Sequence, residues 1–154
     1  MSETTWAEKN RLHFEYVSPS PFPSPLTHPS TQASTYDNSA MSQSVTASIT
    51  AFLKTHIPNL VPVSLVSGRV LDFACGTGTC TLALASTPYF TTFRGMDISG
   101  SMAAAYNTRT AAQGLDARAV QADLADKAAF MPGSPVQGEE WVGFDVVIVA
   151  NALQ

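Results

Sequence analysis

Two acidic residues and two glycines have the types and spacing needed to bind a nucleotide-like ligand. Asp72 lies in the apolar stretch 70–73, and Gly76 and Gly78 follow it in a turn before a predicted helix. Glycine has no Cβ, so the chain can adopt positive φ and a ligand can approach the backbone. Amides at the start of the following helix can donate hydrogen bonds to a polar ligand end. Alone, such a turn is weak evidence for a ligand site, because turns after strands are commonly glycine-rich.

The second acidic residue, Asp97, ends the next strand-like run, which begins at Phe93. In a doubly wound sheet the carboxyl ends of neighbouring strands lie side by side, so this carboxylate can accept hydrogen bonds from both hydroxyls of a ribose on the glycine turn. The alternative is that Asp97 only caps the helix after it, although Ser99 and Ser101 already offer capping hydroxyls.

The elements that must position these residues alternate along the chain. Strands are predicted over residues 69–74, 92–97, 117–122 and 144–150, helices over 79–86, 101–113 and 124–130, and a Pro- and Gly-rich loop over 132–138. This alternation predicts an α/β fold with a parallel sheet. A further helix over 39–57 should end before Pro58 and Pro62 and pack on the sheet through apolar residues at helical spacing. They are Met41, Val45, Ile49, Phe52, Leu53 and Ile57.

Four ordered segments, residues 71–78, 95–102, 121–124 and 144–151, resemble the motifs of the class I S-adenosylmethionine-dependent methyltransferases. The resemblance covers roughly residues 66–154. It implies a Rossmann-like doubly wound parallel sheet, with strand order 3-2-1-4-5-7-6 in the family, and S-adenosylmethionine as cofactor. One departure is that Ala74 stands where the family usually has its first glycine. Because a methyl group is a small addition, we expect the turn with Ala74 to accommodate the ligand less well but still to bind it.

The resemblance also implies roles for single residues. Gly76 and Gly78 would face the methionine end of the cofactor, Asp97 the ribose, and Asp123 with the Leu124 amide the adenine. Met102 either lines the adenine pocket or fills the core, and Asn151 either faces the methyl group and acceptor or only bonds at a strand end. Tyr36 is either a lid contact or a helix-entry residue. No catalytic base is identified, and the implied cofactor-binding set is Asp72, Ala74, Gly76, Gly78, Asp97, Ile98, Met102, Asp123, Leu124 and Asn151.

A nicotinamide-dependent dehydrogenase is the nearest alternative with a related fold. Its fingerprint, G-x-G-x-x-G, uses the third glycine for close packing of helix on strand, and here that position is Thr81. A carboxylate at Asp72 would also repel a pyrophosphate, whereas it would attract the ammonium and sulfonium charges of a methyl donor.

Composition limits the remaining choices. The chain has 154 residues, 45% of them hydrophobic and 13% charged, and a net charge of -4. These values fit one α/β domain and give no electrostatic reason to bind nucleic acid or an anionic membrane. Cys75 and Cys80 are expected to be reduced thiols, and neither they nor the isolated histidines form a metal-ligand pattern. No targeting segment or bilayer-length apolar run is visible, which predicts a cytoplasmic protein.

Two regions are expected: residues 1–38, an N-terminal segment with a disordered Pro/Ser/Thr-rich stretch, and residues 39–154, the cofactor-binding domain. The unbroken apolar strand near residue 146 is typical of a central strand covered on both faces, yet few residues follow it. We therefore expect a C-terminally incomplete sheet containing the first four family strands, with strand four an exposed edge prone to self-association.

Three functional hypotheses follow. The first is S-adenosylmethionine-dependent methyl transfer to a small-molecule acceptor by in-line displacement. The second is an oxidoreductase that uses a nicotinamide cofactor. The third is a non-enzymatic remnant or interaction module that keeps the motifs without the activity.

Overall fold

The computed structural model describes residues 38–123, 131 and 133–150. Within them, four parallel strands form one sheet in the order β3-β2-β1-β4, which confirms the predicted Rossmann-like α/β architecture. The predicted helix over 124–130, Tyr36 and the Pro/Ser/Thr-rich stretch lie outside the described residues. The elements are α1 (Ala40–Leu60), β1 (Gly68–Phe73), α2 (Thr79–Ala85), β2 (Phe90–Asp97), α3 (Gly100–Ala111), β3 (Asp116–Gln121), a 3-10 turn (Glu139–Trp141) and β4 (Val146–Val149).

The first helix, α1, begins at a side-chain cap and runs further than predicted. The Ser39 hydroxyl accepts a hydrogen bond from the Ser42 amide at 3.1 Å. The helix contains Pro58 and ends at Leu60, so the predicted end before Pro58 is wrong. Proline removes one backbone donor, and here it does so in the last turn, where the Val61 amide still bonds the carbonyl of Ile57 at 3.1 Å.

Only part of the predicted apolar stripe of α1 is buried. Leu53 and Ile57 belong to the main core cluster, and Ile49 packs against it. In contrast, Met41 is 78% and Phe52 is 59% exposed, so the expectation that both pack on the sheet is wrong. The helix joins the core through its C-terminal half and packs mainly on α2, where Thr46 near its middle approaches Thr79.

The core has a main layer between the helices and one face of the sheet. Val70 of β1, Leu84 of α2 and Phe93 of β2 are almost completely buried there. Side chains alternate between the two faces of a strand, and Met96 of β2 therefore packs on the opposite face with Trp141 of the 3-10 turn. None of the helices in these described residues is long and apolar enough to cross a membrane.

Strand β4 is covered on one face in the part of the chain that the structure describes. Val146 and Ile148 pack against the main core cluster, whereas Val147 is 58% and Val149 is 56% exposed. Among the described strands β4 pairs with β1 alone and forms an edge of the sheet, as predicted for strand four. The alternation of side chains explains the difference, since α1 and α2 lie on the side of Val146 and Ile148.

Candidate cofactor-binding site

The turn between β1 and α2 departs from ordinary backbone conformation at three residues. Ala74, Gly76 and Gly78 all have positive φ, of 55°, 51° and 90° respectively. Glycine adopts such angles readily, but an alanine there is strained. The structure thus gives a physical reason for glycine at position 74 in the family that the sequence resembles: the turn needs a left-handed residue there.

The two glycines of the turn face different surroundings. A Cβ added to Gly76 would meet nothing within 4 Å, so the backbone there lies beside open space. A Cβ added to Gly78 would lie 2.9 Å from Cδ2 of Tyr106, inside the core. Gly76 is therefore the position where a ligand can approach the backbone, and Gly78 is required by packing. The resemblance implies that both glycines face the methionine end of the cofactor, and of the two Gly76 is the one that borders open space.

The carboxylate of Asp97 fixes the turn from the end of β2. Its Oδ2 accepts the Gly76 amide at 2.7 Å and its Oδ1 accepts the Ser99 amide at 2.9 Å. The cap of α3 is Ser99, whose hydroxyl accepts the Met102 amide at 3.4 Å. Asp97 is thus not the cap of α3. A carboxylate oxygen can accept two hydrogen bonds, so each oxygen has capacity for one more, and the side chain is 8% exposed.

Asp72, in contrast, lies beneath the turn and not on its open side. It is 2% exposed, and its Oδ2 accepts both the amide and the hydroxyl of Thr81, at 3.2 and 2.8 Å. Burial raises the pKa of Asp72 to about 7, with the negative charge of Asp97 adding to the rise and the Thr81 hydrogen bonds opposing it. Burial likewise raises the pKa of Asp97, against its two amide bonds.

The ends of the three strands are joined at this edge. The Cys75 amide donates to the carbonyl of Met96 at 3.0 Å, and the Ala122 amide donates to that of Asp97 at 2.9 Å. Asp123, the residue after Ala122, is half-buried. The structure therefore brings the glycine turn, Asp97 and the segment leading to Asp123 together at the carboxyl edge of the sheet, where open α/β sheets bind ligands.

The arrangement matches a known family. The sequence profile described as methyltransferase domain matches residues 70–154, more than half of the chain. The chain belongs to this methyltransferase family. Its sequence and fold are those of the class I S-adenosylmethionine-dependent methyltransferases, which confirms the resemblance drawn from the four motifs. S-adenosylmethionine is the cofactor of the class, and no curated protein sequence matches the chain significantly.

Solved structures agree on the fold. A Methanococcus maripaludis protein assigned as an S-adenosyl-L-methionine-dependent methyltransferase aligns with a TM-score of 0.57 and 21% identity, covering 80% of this chain and 50% of its own. Magnesium protoporphyrin IX methyltransferase from Synechocystis PCC 6803, with bound S-adenosylmethionine, aligns with a TM-score of 0.53 and 18% identity, covering 96% of this chain and 62% of its own. The chain thus spans about half to three fifths of these proteins.

The other residues predicted to bind the cofactor in this methyltransferase domain are Ile98, Met102, Leu124 and Asn151. The carbonyl of Ile98 accepts a hydrogen bond from Nε2 of Gln121 at 3.0 Å, which ties the Asp97 turn to β3. Met102 is 4% exposed, so little of it can touch a ligand unless neighbouring groups move. Leu124 and Asn151 lie outside the described residues.

Both cysteines of the methyltransferase domain are buried free thiols. Burial is the main cause that raises the pKa of Cys80 to about 12, and it raises the pKa of Cys75 further still. A thiol with such a raised pKa stays protonated at neutral pH and is a poor nucleophile. Neither side chain is therefore a candidate for covalent chemistry.

Sequence reasoning missed the side chains that support the turn from below. Thr81 lies on α2 and Tyr106 on α3, and both are completely buried. Arg109, one turn further along α3, donates to the carbonyl and hydroxyl oxygens of Thr77. Nothing in the local pattern separates these residues from ordinary core and surface residues of a helix, because their contacts depend on how α3 packs.

Proposed function

We propose that this domain binds S-adenosylmethionine across the carboxyl ends of β1, β2 and β3 and supports methyl transfer to a small-molecule acceptor. The observation that supports this most strongly is the geometry of Asp97. Both of its oxygens are fixed by backbone amides and retain acceptor capacity, beside the open space over Gly76. Two hydroxyls on adjacent carbons, as in a ribose, match that pair of acceptors.

The remaining roles follow the direction of the strands. The turn at Gly76 would lie along the methionine end of the cofactor, and the segment at Asp123 along the adenine. The Ile98 backbone would lie between them, with the Leu124 amide on the adenine side. Asn151 is proposed to face the acceptor, and Met102 to back the adenine pocket from within α3.

Asp72 is too buried to touch the cofactor, and because its pKa is raised to about 7 it acts on the cofactor through its charge only when it is ionised. When bound, S-adenosylmethionine supplies a sulfonium-activated methyl group that an acceptor takes by in-line displacement, leaving S-adenosylhomocysteine. An ionised carboxylate below the turn attracts the cationic ammonium and sulfonium groups. The domain's own contribution is to orient the methyl carbon towards the acceptor and to exclude water from it.

A nicotinamide cofactor fits the site less well. Position 81, where the dinucleotide fingerprint needs its third glycine, holds a threonine that is completely buried and bonded to Asp72. Replacing that threonine by glycine would remove the packing of its side chain and the hydrogen bonds of its hydroxyl, and would keep only the amide bond to Asp72. The carboxylates of Asp72 and Asp97 would also repel a pyrophosphate placed on the turn.

Titration calorimetry of the full chain tests the proposal. S-adenosylmethionine and S-adenosylhomocysteine should both bind, and NAD should not. Tighter binding of NAD, or no binding of either sulfur compound to folded protein, would overturn it. Release of S-adenosylhomocysteine in the presence of a panel of small-molecule acceptors then separates an active enzyme from a binding module, which would bind the cofactor without turnover. Cytoplasmic location and self-association through β4 stay predictions, and light scattering tests the second.

A further inference from the structure

The inner face of α3 lies directly beneath the glycine turn. Tyr106 is completely buried, and its ring occupies the space that a side chain at position 78 would need, with Cδ2 2.9 Å from an ideal Cβ there. The ring therefore packs against the turn at Gly78. Any movement of α3 away from the sheet would remove this contact.

The hydroxyl of Tyr106 continues this support as a hydrogen-bond chain. It lies 3.0 Å from Oγ1 of Thr81, which in turn donates to Oδ2 of Asp72 at 2.8 Å. A hydroxyl has one proton to donate. When Asp72 is ionised, Thr81 donates to the carboxylate, and Tyr106 must therefore be the donor to Thr81. The chain links α3, the first turn of α2 and the end of β1.

Arg109 contacts the top of the turn from the same helix. Its Nη1 donates to the carbonyl oxygen of Thr77 at 3.0 Å and to the Thr77 hydroxyl at 2.8 Å. Thr77, between the two glycines, is 3% exposed. Tyr106 and Arg109 are three residues apart, so they share one face of α3. That face thus contacts the turn both below Gly78 and at Thr77.

We propose that Tyr106 and Arg109 are positioning residues that hold the glycine turn in the shape that binds the cofactor. The inference rests on the proposed function and deepens it, because neither side chain is assigned a contact with the cofactor or with reacting atoms. The turn has positive φ at residues 74, 76 and 78, and Asp97 holds it at the Gly76 amide. Contacts from α3 add a further constraint before the ligand arrives, which lowers the cost of ordering on binding.

Hydrogen exchange of the cofactor-free protein tests the positioning directly. Arg109→Gln should speed exchange of the Gly76 and Gly78 amides about tenfold, the scale of losing one charged hydrogen bond, while amides of β2 and β3 keep their rates. Arg118→Gln is the matched control, because Arg118 pairs with Glu140 on the sheet, away from the turn. Arg109→Lys should restore most of the protection, since one ammonium can donate to both oxygens of Thr77.

Cofactor titration of folded variants gives the second readout. Tyr106→Phe keeps the ring under Gly78 and removes the hydroxyl, and should weaken S-adenosylmethionine binding about fivefold with a fall in Tm of only a few degrees. Tyr89→Phe makes the same chemical change beside the main core cluster and should leave the affinity unchanged.

The positioning role of α3 and the proposed function fail on different results. Equal exchange at the turn in Arg109→Gln and Arg118→Gln would overturn the proposal, and so would faster exchange spread evenly over all strands, which indicates general destabilisation. Unchanged affinity in Tyr106→Phe would overturn the role of its hydroxyl. Failure of the wild-type protein to bind S-adenosylmethionine would instead overturn the proposed function, while the exchange results obtained without cofactor would still decide whether Arg109 holds the turn.

Discussion

Replacing Ala74 by glycine should stabilise the protein, which is an unusual outcome for an alanine-to-glycine change. Ala74 has a φ of 55°, and a left-handed conformation costs a residue with a Cβ roughly 1–2 kcal/mol. Glycine removes that strain. Two effects oppose this gain. The greater freedom of glycine in the unfolded chain costs about 0.4–1 kcal/mol, and the loss of packing is small because Ala74 is only half-buried. The net stabilisation is about 0.5 kcal/mol.

A second alanine-to-glycine variant isolates the strain. Ala104 is an exposed residue in the interior of α3, where the change should cost about 1 kcal/mol. Both variants gain the same unfolded-state freedom, so the difference between them, about 1.5 kcal/mol, reports backbone conformation. Ser67 has a φ of 56° outside the turn, and Ser67→Gly should therefore also stabilise.

Thermal unfolding provides the assay. A difference of about 1.5 kcal/mol between Ala74→Gly and Ala104→Gly corresponds to a Tm difference of roughly 5 °C for a domain of this size. Cofactor affinity of Ala74→Gly should stay within about threefold of wild type, because the turn keeps its shape. A fall in Tm for Ala74→Gly as large as that for Ala104→Gly would refute the left-handed conformation at residue 74.

The remaining predictions concern the carboxylate below the turn and the two glycines. Folded Asp72 holds its proton up to a pKa of about 7, whereas the unfolded chain releases it near pH 4, so stability should fall by up to about 4 kcal/mol as pH rises between those values. Asp72→Asn should reduce this slope in thermal melts and leave the part that the raised pKa of Asp97 contributes; an equal slope in both proteins would contradict the assignment. Gly76→Ala should raise the S-adenosylmethionine Kd with a Tm loss of only a few degrees, since its Cβ enters open space. Gly78→Val should lower Tm sharply because of its clash with Tyr106, and a normal Tm would show that the ring does not lie there.

Within the described residues, local patterns in the sequence were enough to predict the order of strands and helices along the chain and the two strand ends that meet at the candidate site. The apolar run before Gly76 and the one before Asp97 each end in a polar or glycine residue, which fixes where the strand stops. Parallel pairing then brings those ends together. The resemblance also identified Ala74 as a departure, and the structure supplies its physical cause, the positive φ at that residue.

Packing across the sheet could not be predicted in the same way. Arg109 reaches Thr77 and Tyr106 reaches Gly78 over a long separation in sequence, and these contacts depend on the rotation and approach of α3. Whether α1 continues through Pro58 also depends on where the proline lies in the helix, because in the last turn it removes only a single hydrogen bond. Sequence alone gives no measure of either effect.

The measurement that tests the central claim most directly is the affinity of the folded Asp97→Asn variant for S-adenosylmethionine. In asparagine one of the two oxygens becomes an NH2 group, which cannot accept a hydrogen bond from a backbone amide or from a ligand hydroxyl. The Kd should therefore rise at least about tenfold. Asp116→Asn is the matched control, because Asp116 is an exposed acid paired with Arg94 away from the turn, and its Kd should stay at the wild-type value. An unchanged Kd in Asp97→Asn, with a normal melting curve, would contradict the assignment of this edge as the cofactor site.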